Sequence, residues 1–159
     1  MVKHYIKLGL WIFILSVLYA AGASEFFGFC AKLPIIFSLV YGMFARTFKE
    51  KLTVSCICGV FVSALGGDSF VPAVLCVVYG TLIVSAMFSG KLLKYRYLSV
   101  VPVSLIIFLY EIILGTLALG FEFSVIKGSI LSTVVSLCFA VVLYPLIKNS
   151  FKLKERYIF

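Results

Sequence analysis

The chain has 159 residues, 64% hydrophobic and 13% charged, with a formal net charge of +8 and a mean hydropathy of +1.21. A water-soluble domain is about 45–50% apolar and about 25% charged, so this chain has too little polar surface to cover a core in water and reads as an integral membrane protein. The positive charges fall in short clusters between apolar runs and at the chain ends, which argues for a membrane pattern and against a nucleic-acid partner.

Six apolar runs follow in chain order, over residues 5–23, 30–44, 52–65, 70–88, 98–119 and 126–147. The first is about long enough to span a bilayer and is followed by further spans, so it reads as a transmembrane helix and not as a removable signal. Six spans of about 20 residues each leave only short connections. The expected architecture is therefore all-α: one polytopic domain over 1–159, a six-transmembrane-helix bundle, with a basic tail at 148–159.

Placing the N-terminus in the cytoplasm puts every Lys and Arg except Lys32 and Lys127 on the cytoplasmic side, and an even number of spans brings the C-terminus back there. Glu25, Asp68 and Glu122 then fall in external loops. The third run is the short one: its 14 residues reach about 21 Å against a hydrocarbon core of about 30 Å. A full span would have to borrow from the basic loop before it and the glycines after it; the expectation is a short or partly re-entrant third helix, buried by its neighbours. Pro34 opens the second run, where a missing N–H costs little, and Pro72 and Pro102 stand similarly in the fourth and fifth. Pro145, near the end of the sixth, is expected to kink the last turn.

The stretch "ALGGDSF" has neither the spacing nor the lysine of a phosphate-binding loop. Gly66 and Gly67 suit a helix end with positive φ, and Asp68 or Ser69 suits the cap of the next helix, so the stretch reads as a tight turn, with or without contact to a partner or ligand. Gly59, Ser63 and Gly67 recur every four residues on one helix face, as small residues do where two transmembrane backbones approach closely. That face packs either within the chain or against another protein. Ser16, Ala20 and Ser24 form a weaker stripe of the same kind.

Glu111 is the one acid well inside an apolar run. A carboxylate there is costly unless hydrogen-bonded, which leaves three roles open: a structural clamp between helices, a partner-binding determinant, or ion translocation. Candidate partners are Thr81, Ser85 and Ser63 on other helices. The five cysteines lie in apolar segments without an accompanying histidine and read as small buried hydrophobes; Cys56 and Cys58 diverge on a helix. His4, the single histidine, reads as a solvated interface residue. With no carboxylate pair, Ser/His pairing or metal-ligand cluster, the sequence implies no enzyme, no catalytic residue, no cofactor and no metal.

In their order, these features resemble the rod-shape-determining protein MreD family. The likeness rests on a basic first span; a proline-initiated second span, "AKLPIIFSLVYGMF"; a small-residue third helix entering a glycine turn, "GVFVSALGGDSF"; a basic loop, "GKLLKYRY"; a fifth span with a mid-membrane acid, "LYEIIL"; and a sixth ending "VVLYPLIKN". It covers almost the whole chain with short, degenerate motifs. The family's usual G-x-x-x-D arrangement is broken here, because Ser63 stands where the aspartate is expected. The resemblance implies a bacterial inner-membrane scaffold of cell elongation, binding an MreC-like coiled-coil membrane protein and supporting peptidoglycan-synthesis proteins. It also implies a fold like the substrate-capture subunits of energy-coupling-factor vitamin transporters, so a small-molecule carrier is the alternative. Against the carrier stand the lack of glutamine, a single asparagine at Asn149, and short external loops.

Overall fold

The computed structural model describes residues 2–23, 25–26, 29–45, 47–88 and 100–151. Six helices make up nearly all of them: α1 Val2–Ala20, α2 Leu33–Phe44, α3 Phe48–Gly66, α4 Phe70–Phe88, α5 Val100–Leu119 and α6 Phe123–Phe151. Between α1 and α2 lies a two-rung antiparallel hairpin, β1 Glu25–Phe26 and β2 Phe29–Cys30, with Glu25 opposite Cys30. Ser24, Arg46, the basic cluster of Lys91, Lys94 and Arg96, and the tail beyond Phe151 lie outside the described residues.

Among the described residues, three helices suffice by length and composition to cross a membrane: Phe70–Met87, Val101–Leu119 and Phe123–Phe151. The apolar stretches His4–Ala20 and Leu33–Phe44 are shorter. Their surfaces fit the same solvent. On α4, Val71, Leu75, Tyr79, Ile83 and Met87 form an exposed stripe at every fourth residue, and on α5 so do Val101, Leu105, Leu109, Ile113 and Leu117. Inside, by contrast, Ser38, Ser55, Ser63, Thr81, Ser129, Ser132 and Ser136 are buried. A bundle that is oily outside and hydroxylated inside is suited to lipid, where apolar burial drives no association and hydrogen bonds and close packing hold helices together.

The expectation of a short third helix is corrected. Helix α3 runs for 19 residues, because Thr47 caps it, accepting the Glu50 N–H at 3.2 Å, and Phe48–Lys51 form its first turn. The short helix is α2, at 12 residues or about 18 Å. Lys32 is its N-cap residue and Pro34 lies in its first turn. Ten of its residues, from Leu33 to Gly42, are buried, and it packs against each of the other five helices. The core is therefore built around α2, with Phe37 and Tyr41 stacked along it at 5.7 Å between ring centroids. Helix α6 is longer than its apolar run, 29 residues or about 44 Å. It continues past Pro145, whose missing N–H leaves the Val141 carbonyl without its helical donor.

Contacts at the helix ends fix an up-and-down arrangement. At one end, His4 of α1, Tyr41 of α2 and Glu50 of α3 meet, with Phe151 of α6 edge-on to Tyr41. Lys7 donates to the Ser150 carbonyl, and Lys51 of α3 reaches Ser85 of α4. This is the basic end. At the other, the hairpin end, lie the β1–β2 pair, Lys32 and the α3–α4 turn.

Candidate functional site

Helix α3 ends where Gly67 takes φ +70, a left-handed conformation that an L side chain rarely adopts. The turn delivers Asp68 back over the bundle. Asp68 Oδ2 accepts from the Lys32 ammonium at 2.6 Å and from the Tyr110 hydroxyl at 2.9 Å, so one carboxylate oxygen ties the entry to α2, the α3–α4 turn and α5 together. The two side chains of the ion pair are only 13% and 18% exposed, so the charges are mostly shielded from solvent and depend on each other. The Lys32 Nζ also lies over the Tyr110 ring, 4.8 Å from its centroid. The hydrogen bonds of Asp68 thus cross to other elements, whereas the sequence suggested a local capping role.

Glu111 follows Tyr110 and points to a different neighbour. It lies about two helical turns below the end of α5 at Leu119. Ser132 of α6 donates to Glu111 Oε1 at 3.1 Å, and the Lys32 Nζ stands 4.0 Å from the same oxygen. The expected partners are elsewhere: Thr81 pairs with Ser38 at 2.8 Å, Ser85 with Lys51, and Ser63 donates to the Val60 carbonyl of its own helix. Ser132 was not singled out in the sequence. Its signal was a run of Ser and Thr at 129, 132, 133 and 136 on the one helix long enough to lie beside the whole of α5.

Beside Glu111 opens a cleft of about 370 Å³ between the hairpin, α5 and α6, lined by Phe29, Lys32, Glu111, Gly115, Leu119, Ser124, Val125, Gly128, Ser129 and Ser132. Gly128 helps to keep it open, because a Cβ at that position would have nothing within 4 Å.

The stripe of Gly59, Ser63 and Gly67 divides into separate roles. A Cβ on Gly59 would lie 2.9 Å from Val74 Cα, so Gly59 lets α3 and α4 touch along their backbones. Ser63 is buried with its hydroxyl returned to its own helix. Gly67 has open space around it and serves the turn alone.

A second polar cluster, at the basic end, was not foreseen. His4 is no isolated interface residue: its Nε2 lies 2.9 Å from Glu50 Oε1 and 3.0 Å from the Tyr41 hydroxyl, while Tyr41 donates to Glu50 at 2.6 Å. Thr47 and Glu50 stand in the spacing of a capping box, which was the legible signal for a helix start there. Among the described residues, no group of three or more His, Cys, Asp or Glu side chains could hold a metal ion. Cys56, Cys58, Cys76 and Cys138 are free thiols. Comparison with family models, with curated proteins and with solved structures finds no match to this chain.

Proposed function

We propose that the chain is a non-catalytic scaffold of a bacterial inner membrane, resembling MreD, that crosses the bilayer six times with both ends in the cytoplasm. In this reading it holds an MreC-like coiled-coil membrane protein beside proteins of cell elongation and peptidoglycan synthesis. The observation that carries the reading is how the polar side chains are used. His4, Tyr41 and Glu50 join three helices; Lys32, Asp68 and Tyr110 join three elements; Ser38 with Thr81, Lys51 with Ser85, and Ser132 with Glu111 each join two. Such a body is braced from within and offers apolar stripes on α4 and α5 to the side chains of a partner's membrane helix. The order of sequence motifs supplies the family.

Co-purification from membranes with a single-span coiled-coil protein tests the proposal. A purified chain that ignores such a partner and carries a bound small molecule instead overturns it. The alternative, a substrate-binding subunit of a transporter, is favoured by one observation: the cleft beside Glu111 has the size of a small-molecule pocket.

A further inference from the structure

The cleft has a chemical preference, which follows from where its protons go. Ser132 donates its hydroxyl proton to Glu111, Ser129 donates to the Val125 carbonyl at 2.8 Å, and Ser124 donates to Glu122 at 3.0 Å. A hydroxyl has one proton and two lone pairs, so all three serines have spent their donors and offer only acceptors to the cleft. Glu111 is acceptor-only when ionised; Oε1 is engaged, and none of the described residues hydrogen-bonds Oε2. Lys32, the one side-chain cation among the described lining residues, donates one of its three protons to Asp68 and stands 4.0 Å from Glu111 Oε1. With both carboxylates ionised, the single cation of Lys32 stands against Asp68 and Glu111 together and leaves one negative charge at the site.

We propose that this cleft binds a primary ammonium group, carried either by a lipid headgroup or by a free amine. Its three N–H donors match an acceptor set made of Glu111, Ser129 and Ser132, and its charge balances Glu111. The apolar wall of Phe29, Leu119 and Val125 suits the carbon skeleton that bears the amine. A bare divalent cation fits poorly, since one carboxylate on the wall is too few oxygen anions for a hard metal and the space far exceeds an ion. The inference rests on the cleft alone and holds whether the chain is a scaffold or a carrier.

The test uses the full chain purified in detergent, with native mass spectrometry to follow bound lipid and calorimetry to follow free ethanolamine. Phosphatidylethanolamine, whose amine carries N–H donors, is expected to bind about tenfold or more tightly than phosphatidylcholine, whose quaternary nitrogen has none. Glu111→Gln removes the charge while retaining an acceptor for Ser132. Gly128→Leu fills the cleft from a position whose Cβ meets nothing. Both variants are expected to lose that preference, with Cys138→Ala, on the exposed side of α6, as the unaffected control. If Gly128→Leu does not fold, Gly128→Ala together with Glu111→Gln decides the matter. Binding of the lipid alone assigns the site to headgroups, and competition by ethanolamine assigns it to free amines. Equal binding of the two lipids, a preference for phosphatidylglycerol, or retention of the preference in Glu111→Gln overturns the proposal.

Discussion

Lys32 and Asp68, 36 residues apart in sequence, meet at 2.6 Å and hold the start of the central helix to the turn between α3 and α4. Removing Asp68 leaves the shielded Lys32 with only its longer, 4.0 Å approach to Glu111, so Asp68→Ala is expected to destabilise the fold by about 3 kcal/mol, the lower end of the range for buried pairs. The combined change Lys32→Met, Asp68→Leu, Tyr110→Phe removes all three groups joined at Asp68, leaves Glu111 its bond from Ser132, and is expected to cost less than Asp68→Ala alone. Unfolding in mixed detergent micelles measures both, and a triple variant weaker than the single one sinks the account.

Gly59 and Gly67 look alike in sequence and differ in consequence. Gly59→Leu drives a side chain into the Val74 backbone and is expected to cost about 1–3 kcal/mol by overpacking, widening the gap between α3 and α4. Gly67→Ala meets no neighbour but must hold φ at +70, for a cost of about 1–2 kcal/mol with the helix spacing unchanged. Paired spin labels on α3 and α4 distinguish the two, since only the first substitution should lengthen the distance.

Glu111→Gln keeps an acceptor for Ser132 and is expected to leave the bundle assembled. Glu111→Leu removes that acceptor and is expected to weaken the α5–α6 contact by about 1–2 kcal/mol. Thermal unfolding of the purified variants checks this. If the Leu variant matches the parent, Glu111 contributes nothing to the fold.

At the basic end, Glu50 receives both His4 and Tyr41. Tyr41 is buried, so Glu50→Ala leaves its enclosed hydroxyl with only the His4 ring nitrogen at 3.0 Å and is expected to destabilise by about 1–3 kcal/mol. His4 is partly solvated, and His4→Ala is expected to cost less. A reversed order of the two, measured by thermal unfolding, would show that His4 and not Glu50 organises the cluster.

Much of the helical layout was written in the hydropathy pattern. The fourth apolar run coincides with α4, and the fifth coincides with α5 apart from residues 98 and 99, which lie outside the described residues; Pro34 stands in the first turn of α2, whereas Pro145, expected in a last turn, is followed by six more helical residues. The pattern misjudged α3, because hydropathy is blind to a charged first turn that Thr47 caps and Glu50 anchors to its neighbours. It also could not reveal which helix is innermost: α2 and α3 look equally apolar in part, and only packing separates a surrounded helix from a peripheral one. The site was half legible. Asp68 and Glu111 stood out as acids in oily surroundings, but their partners Lys32 and Ser132 are long-range neighbours, set by how the bundle closes and not by spacing along the chain.

If the chain crosses the bilayer as proposed, the enclosure of α2 bears on how it enters. A helix of 12 residues is too short to cross on its own, so a ribosome-bound translocase has no stable intermediate in which α2 sits alone in lipid. Its neighbours must gather before it is secure: α3 follows after a three-residue link, and α6, which closes over it, comes after the other five helices in the chain. Insertion and assembly, which can proceed as separate stages for a chain of autonomous spans, are thereby fused into one late event. Truncation before α6 should consequently yield a chain that the cell's quality-control proteases clear, because its innermost helix has lost a wall.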